Sequence, residues 1–172
     1  MLIPNLELKN GIWRGRIELE SWNRFFGCDK CFELNIGGDE KTEFVENKHK
    51  MAYEYVVSNQ KKLLERVLSK LLVDYKDLQN AYGYEEDELA ELMPEVININ
   101  DFGELLLPKR VYILNVEMEN MSYFGFHFEC NWDDEHGIGV MMHKDRIIKM
   151  GNSECAFLTW IARQDINQLG SE

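Results

Sequence analysis

Four carboxylates and two imidazoles fall within ten residues of this chain: His127, Glu129, Asp133, Asp134, Glu135 and His136. Side chains of these types can do three things. Hard oxygen and imidazole nitrogen donors hold divalent metals. His127, Glu129, Asp133, Glu135 and His136 are the candidate ligands for a metal, with His143 as a further donor. A carboxylate beside an imidazole also orients it and raises its basicity, so His136 with Asp133 or Glu135 could move a proton. In the third arrangement the groups satisfy one another in a solvated turn. Asp133 then accepts backbone N–H groups, and Glu135 or His136 bonds across a hairpin. The sequence favours this last reading. It contains no two-histidine helical metalloenzyme signature and no nucleophile at a recognisable elbow, and Gly37-Gly38 is not followed by Lys-Ser or Lys-Thr. We expect no catalytic residue and no cofactor, with a divalent metal as the alternative.

The residues around this cluster indicate how it is held. Side chains alternate along a strand, so Phe124, Phe126, Phe128, Cys130 and Trp132 share one face while Tyr123, His127, Glu129 and Asn131 share the other. A packed strand would deliver residues 133–136 into a glycine-bounded turn. The expected functional turn is Trp132, Asp133, Asp134, Glu135, His136, Gly137 and Gly139. Trp132 anchors it to the core, and the glycines supply dihedrals or close packing denied to larger residues. A hairpin closing near Glu135 and His136 would also return His143 toward His127 and Glu129.

Strands are expected at 111–118, 123–132, 139–143 and 146–150, forming an antiparallel meander with short links. Near the N-terminus, Asn10-Gly11 suits a tight hairpin turn, with Trp13, Ile17 and Leu19 inward and Arg14, Arg16 and Glu18 outward. Phe32, Leu34 and Ile36 repeat the alternation up to Gly37-Gly38, so the first forty residues read as strands in a small antiparallel sheet. The middle changes period. Leu64, Val67, Leu68, Leu71, Tyr75 and Leu78 recur every three or four residues, which predicts a helix. Met51, Ala52, Tyr55 and Val56 predict an earlier one, broken from it at Ser58-Asn59-Gln60. Residues 84–93 read as a short acidic helix stopped by Pro94, or as a flap. Ser153 is expected to cap a last short helix through Ile161, before a fraying tail at 167–172.

The chain has 172 residues, 45% hydrophobic and 29% charged, which suits one buried core. With 31 acids against 19 bases, the net charge of −12 would repel a phosphate backbone; it would favour a basic protein partner, or serve the plainer role of keeping the protein soluble, which net charge alone favours. No apolar run approaches the ~20 residues that span a bilayer, and no secretory signal opens the chain. We therefore expect a cytoplasmic protein without direct nucleic-acid or membrane contact. Cys28, Cys31, Cys130 and Cys155 then remain reduced. Cys28-Asp-Lys-Cys31 could share a zinc or form a redox pair, but zinc would require two more ligands, and Cys31 opens a strand instead of a helix.

The helix bearing Leu68, Leu71, Leu72 and Tyr75, the segment 126–140 and Ile148-Lys-Met-Gly151 together resemble an uncharacterised bacterial domain family, the DUF6985-like group. The resemblance centres on Trp-Asp-x-Glu-His-Gly-x-Gly-Val, carried by Trp132, Asp133, Glu135, His136, Gly137, Gly139 and Val140, and extends over residues 50–157. It implies no activity, substrate or cofactor. In size and charge the chain is also similar to cytoplasmic immunity proteins of bacterial toxin systems. The expected fold is a single α+β domain over residues 1–172, with an N-terminal β-hairpin and a C-terminal antiparallel meander packed with central helices. The expected function is noncatalytic binding of a basic partner, as an immunity-type inhibitor. A metal-dependent hydrolase using residues 133–136 is the rival.

Overall fold

Among the described residues, seven strands lie side by side in chain order: β1 (Glu7–Lys9), β2 (Ile12–Ile17), β3 (Phe32–Gly37), β4 (Leu106–Met118), β5 (Met121–Cys130), β6 (Asp133–His143) and β7 (Arg146–Gly151). This computed structural model describes residues 2–171. Asn10 and Gly11 close the first hairpin with both φ angles positive, as the tight turn requires. The N-terminal strands do not form a sheet of their own. β3 pairs with β4, and this pair is parallel while all the others are antiparallel. A parallel pair needs a long crossover, and the central helices are that connection.

Among the described residues, five α-helices complete the α+β domain: α1 (Glu20–Phe26), α2 (Asn47–Ser58), α3 (Gln60–Tyr82), α4 (Glu86–Leu92) and α5 (Thr159–Gly170), with short 3-10 helices at Ile99–Glu104 and Ser153–Ala156. α1 corrects the expectation of continuous strand. Its Trp22 is buried against Phe126 and Phe128, the indole N–H donates to the Gln60 carbonyl at 2.7 Å, and Gly27 ends the helix at a φ of 62°. The α2–α3 break falls at Asn59, whose amide donates to the Tyr55 carbonyl. Leu64, Val67, Leu68, Leu71 and Tyr75 of α3 bury the predicted stripe against the sheet. The acidic α4 is not a loose flap. Past its end, Gln79 and Tyr75 donate to the Met93 and Pro94 carbonyls at 2.7 and 2.9 Å.

The opposite sheet face is covered by α5 and the preceding 3-10 helix, which pack on a smaller core containing Tyr112, Tyr123, Met141 and Ile161. Ser153 does not cap a helix through Ile161. Asn152 caps the 3-10 helix, and α5 begins only at Thr159, whose N–H donates to Asp39 at 2.9 Å. α5 continues through 167–170, expected to fray, because Ile161, Ala162 and Asp165 seat it on the sheet. Any side chain at Gly125 or Gly139 would overlap backbone of the 3-10 segment, so both positions must be bare for it to approach. No helix among the described residues is long and apolar enough to cross a membrane.

Candidate functional site

The 133–136 segment is not the turn. β5 reverses at Asn131 and Trp132, Cys130 pairs with Asp133, and the next pair is Phe128 with Ile138. Four residues of β6 therefore stand opposite Glu129 alone, a bulge that pushes Asp134, Glu135 and His136 into water. The reversal comes early because Trp132 stays in the core. It is 2% exposed and meets the Tyr75 ring edge-to-face at 5.7 Å. Gly137 completes the bulge at a φ of 61°, where a side chain would overlap the Phe128 carbonyl. Of the two motif glycines, Gly137 thus supplies a dihedral and Gly139 supplies close packing.

Asp133 is the centre of the corner. One carboxylate oxygen accepts the Tyr82 hydroxyl at 2.6 Å, and the other accepts the His136 backbone N–H and imidazole Nδ1–H, each at 3.0 Å. Burial alone would raise its pKa, but these three donors hold the carboxyl below the usual range. The Tyr82 hydroxyl is pushed up, first by burial and then by its bond to Asp133. Tyr82 and Tyr84 stack at 5.8 Å, and Tyr84 donates to the Trp132 carbonyl at 2.5 Å. Sequence reasoning missed both tyrosines. Their partners lie about fifty positions away, and no local pattern links them. Together with Leu92 of α4, they and residues 131–136 line a shallow cleft of about 420 Å³.

The five candidate metal ligands do not converge. Glu129 is ion-paired with Lys109 at 2.7 Å. His127 sits half-buried on the opposite sheet face from Trp132, its pKa lowered by burial and by Lys109 and Arg110. Glu135 points into water, and Asp133 is committed to Tyr82 and His136. Nor does His143 return toward His127, whose cross-strand partner is Gly139. It lies four residues further along β6, about 13 Å away. There its Nε2 donates to the Met118 and Met121 carbonyls, and its ring packs on Tyr123. Among the described residues, no three His, Cys, Asp or Glu side chains group as a metal site.

The pair named for acid–base work is brought together. His136 and Asp133 form an imidazole–carboxylate pair at 3.0 Å, with the His136 side chain 60% exposed and no serine, threonine or cysteine among the residues that line the cleft. The four cysteines are free thiols. Cys28 donates to Asn23, Cys31 is exposed, and burial pushes the Cys130 thiol up to about 11, which keeps it an inert thiol.

No curated protein and no solved structure matches the chain. A family match does exist. It covers residues 7–158, beginning well before the 50–157 region of the sequence resemblance and taking in β1, β2, β3 and α1. The matched family is described as a domain of unknown function, and the chain belongs to that family, DUF6985.

Proposed function

We propose that this chain is a noncatalytic cytoplasmic binding protein whose acidic corner occupies a basic protein partner, in the manner of an immunity-type inhibitor of a bacterial toxin. The observation that carries this reading is that Asp134 and Glu135 line the same cleft as the Tyr82–Tyr84 stack, exposed and with no ion-pair partner among the described residues. Glu86, Asp87, Glu88 and Glu91 of α4, the helix that follows Tyr84 in the chain and lends Leu92 to the cleft, are likewise exposed and unpaired among the described residues. α4 also buries no residue of its own. Free carboxylates beside the exposed Tyr82 ring suit lysine and arginine side chains of a partner, through charge attraction and cation–π contact. The buried Trp132 and the tethered Asp133 fix that surface in advance, which lowers the ordering cost of association.

The test uses the purified product of the neighbouring gene when that product is a basic toxin. The chain should bind it and neutralise its activity, and binding should weaken as salt rises. D134K/E135K/E86K should slow association at least about tenfold while leaving the fold intact, since all three side chains are exposed. Neutralisation that is indifferent both to salt and to this triple reversal would reject the reading.

A further inference from the structure

The bare half of the sheet face, away from the acidic corner and independent of the function proposed for it, contains a groove of about 520 Å³ over β1 to β4. Four cations (Lys9, Arg14, Arg16 and Arg110) face two carboxylates (Glu7 and Glu33) there, so the groove is locally positive on a chain of net charge −12. The carboxylates are already engaged. Glu7 pairs with Lys9 at 3.0 Å, and Glu33 takes the Arg110 guanidinium. Arg14 lies across from Glu7 and Asn35, and Arg16 across from Glu33, yet neither arginine has a hydrogen-bond or ion-pair partner among the described residues.

A second observation comes from Asn35, which also lines the groove and is 8% exposed. Its side-chain oxygen accepts the Gly38 N–H at 3.2 Å, and its amide N–H groups have no acceptor among the described residues. The groove therefore offers two unused guanidinium forks and one amide donor on a side chain otherwise held in place, and no free carboxylate among its lining residues offsets the arginines. Residues two apart on a strand put the arginine Cα atoms about 7 Å apart on one face, so each fork can hold a separate phosphoryl group. The groove volume also falls in the range of small-molecule sites, about 300–1,000 Å³. Distant negative charge opposes binding only weakly, because salt screens it beyond about 10 Å.

We propose that this groove binds a small molecule through a diphosphate, with Arg14 and Arg16 each taking one phosphoryl group and the Asn35 amide donating between them. Calorimetric titration of the full chain with pyrophosphate and with ADP, in about 50 mM salt, tests it. One saturable site is expected. Equal affinity for the two probes identifies the diphosphate alone as the ligand, and tighter ADP binding identifies a nucleotide. R14Q/R16Q should weaken both probes by at least about tenfold with an unchanged melting temperature, because each lost charged hydrogen bond costs about that factor. Asn35→Asp, which keeps an acceptor for Gly38 but adds a negative charge, should weaken them too. A K61Q/K76Q control, which removes two exposed charges outside the groove, should not. The proposal is overturned if neither probe gives saturable heat, if R14Q/R16Q binds as well as wild type, or if sulfate binds as tightly as pyrophosphate.

Discussion

At each end of the β5–β6 pair lies a carboxylate held by a tyrosine hydroxyl, and the two clusters have opposite settings. At the open end Asp133 takes Tyr82 at 2.6 Å and the His136 imidazole, which is mostly in water. At the closed end Asp165 of α5 takes Tyr123 at 2.7 Å and both guanidinium nitrogens of Arg146 at 2.7 and 2.6 Å, while the Tyr123 ring packs on the buried His143. Arg146, Tyr123 and His143 all lower the Asp165 pKa, and Arg146 contributes most. The two clusters use similar groups for different ends. The closed one fastens a helix to the sheet, whereas the open one fixes a surface whose neighbouring carboxylates remain unpaired.

Breaking each end separately should expose this difference. The largest effect is expected from Trp132→Ala, which removes the core anchor of the open end and should cost about 3–5 kcal/mol in urea unfolding. Asp165→Ala should follow at about 2 kcal/mol, since it strands a buried tyrosine hydroxyl while the released Arg146 guanidinium, 40% exposed, turns to water. The loss should appear first as faster amide exchange in residues 159–170. Amide exchange unchanged in α5 would show that packing alone holds the helix. Asp133→Asn should cost only about 1 kcal/mol, because Asn keeps an acceptor for the His136 N–H and water reaches the rest.

A graded pH effect sharpens the comparison further. Burial lowers the pKa of His49, His127 and His143 in the folded state. The unfolded chain then binds more protons below the free-histidine value of about 6.5, so stability is full above that pH and falls as pH drops through the folded values. Asp133 and Asp165 are depressed likewise, and their share is lost only at lower pH, below about 3.9. Urea midpoints between pH 8 and 5 should fall less steeply in His143→Gln than in wild type. Parallel curves would remove His143 from the account.

This contrast also explains what the sequence made legible. Asn10-Gly11, the α3 stripe and the Phe124–Trp132 alternation are local patterns, and each produced the element it implied. The Asp133–His136 cluster drew notice because its members are neighbours in sequence. The closed-end cluster gathers residues 123, 143, 146 and 165, so nothing local announced it. α1 was missed because Trp22 is placed by rings a hundred positions away, which override the surrounding strand pattern. The bulge at Gly137 was missed because register depends on where Trp132 packs, and the parallel β3–β4 pairing because it is decided across the whole helical crossover.

The claim that the open end is a held surface and not a metal or catalytic centre is most directly tested by calorimetric titration of the wild type and E135Q/H136Q with Mn²⁺ and Zn²⁺, with urea unfolding of both proteins alongside. Both residues are exposed, so the double variant should lose less than about 1 kcal/mol, and neither protein should give a saturable heat. A stoichiometric ion bound by the wild type and lost in E135Q/H136Q would contradict the account and restore the hydrolase reading.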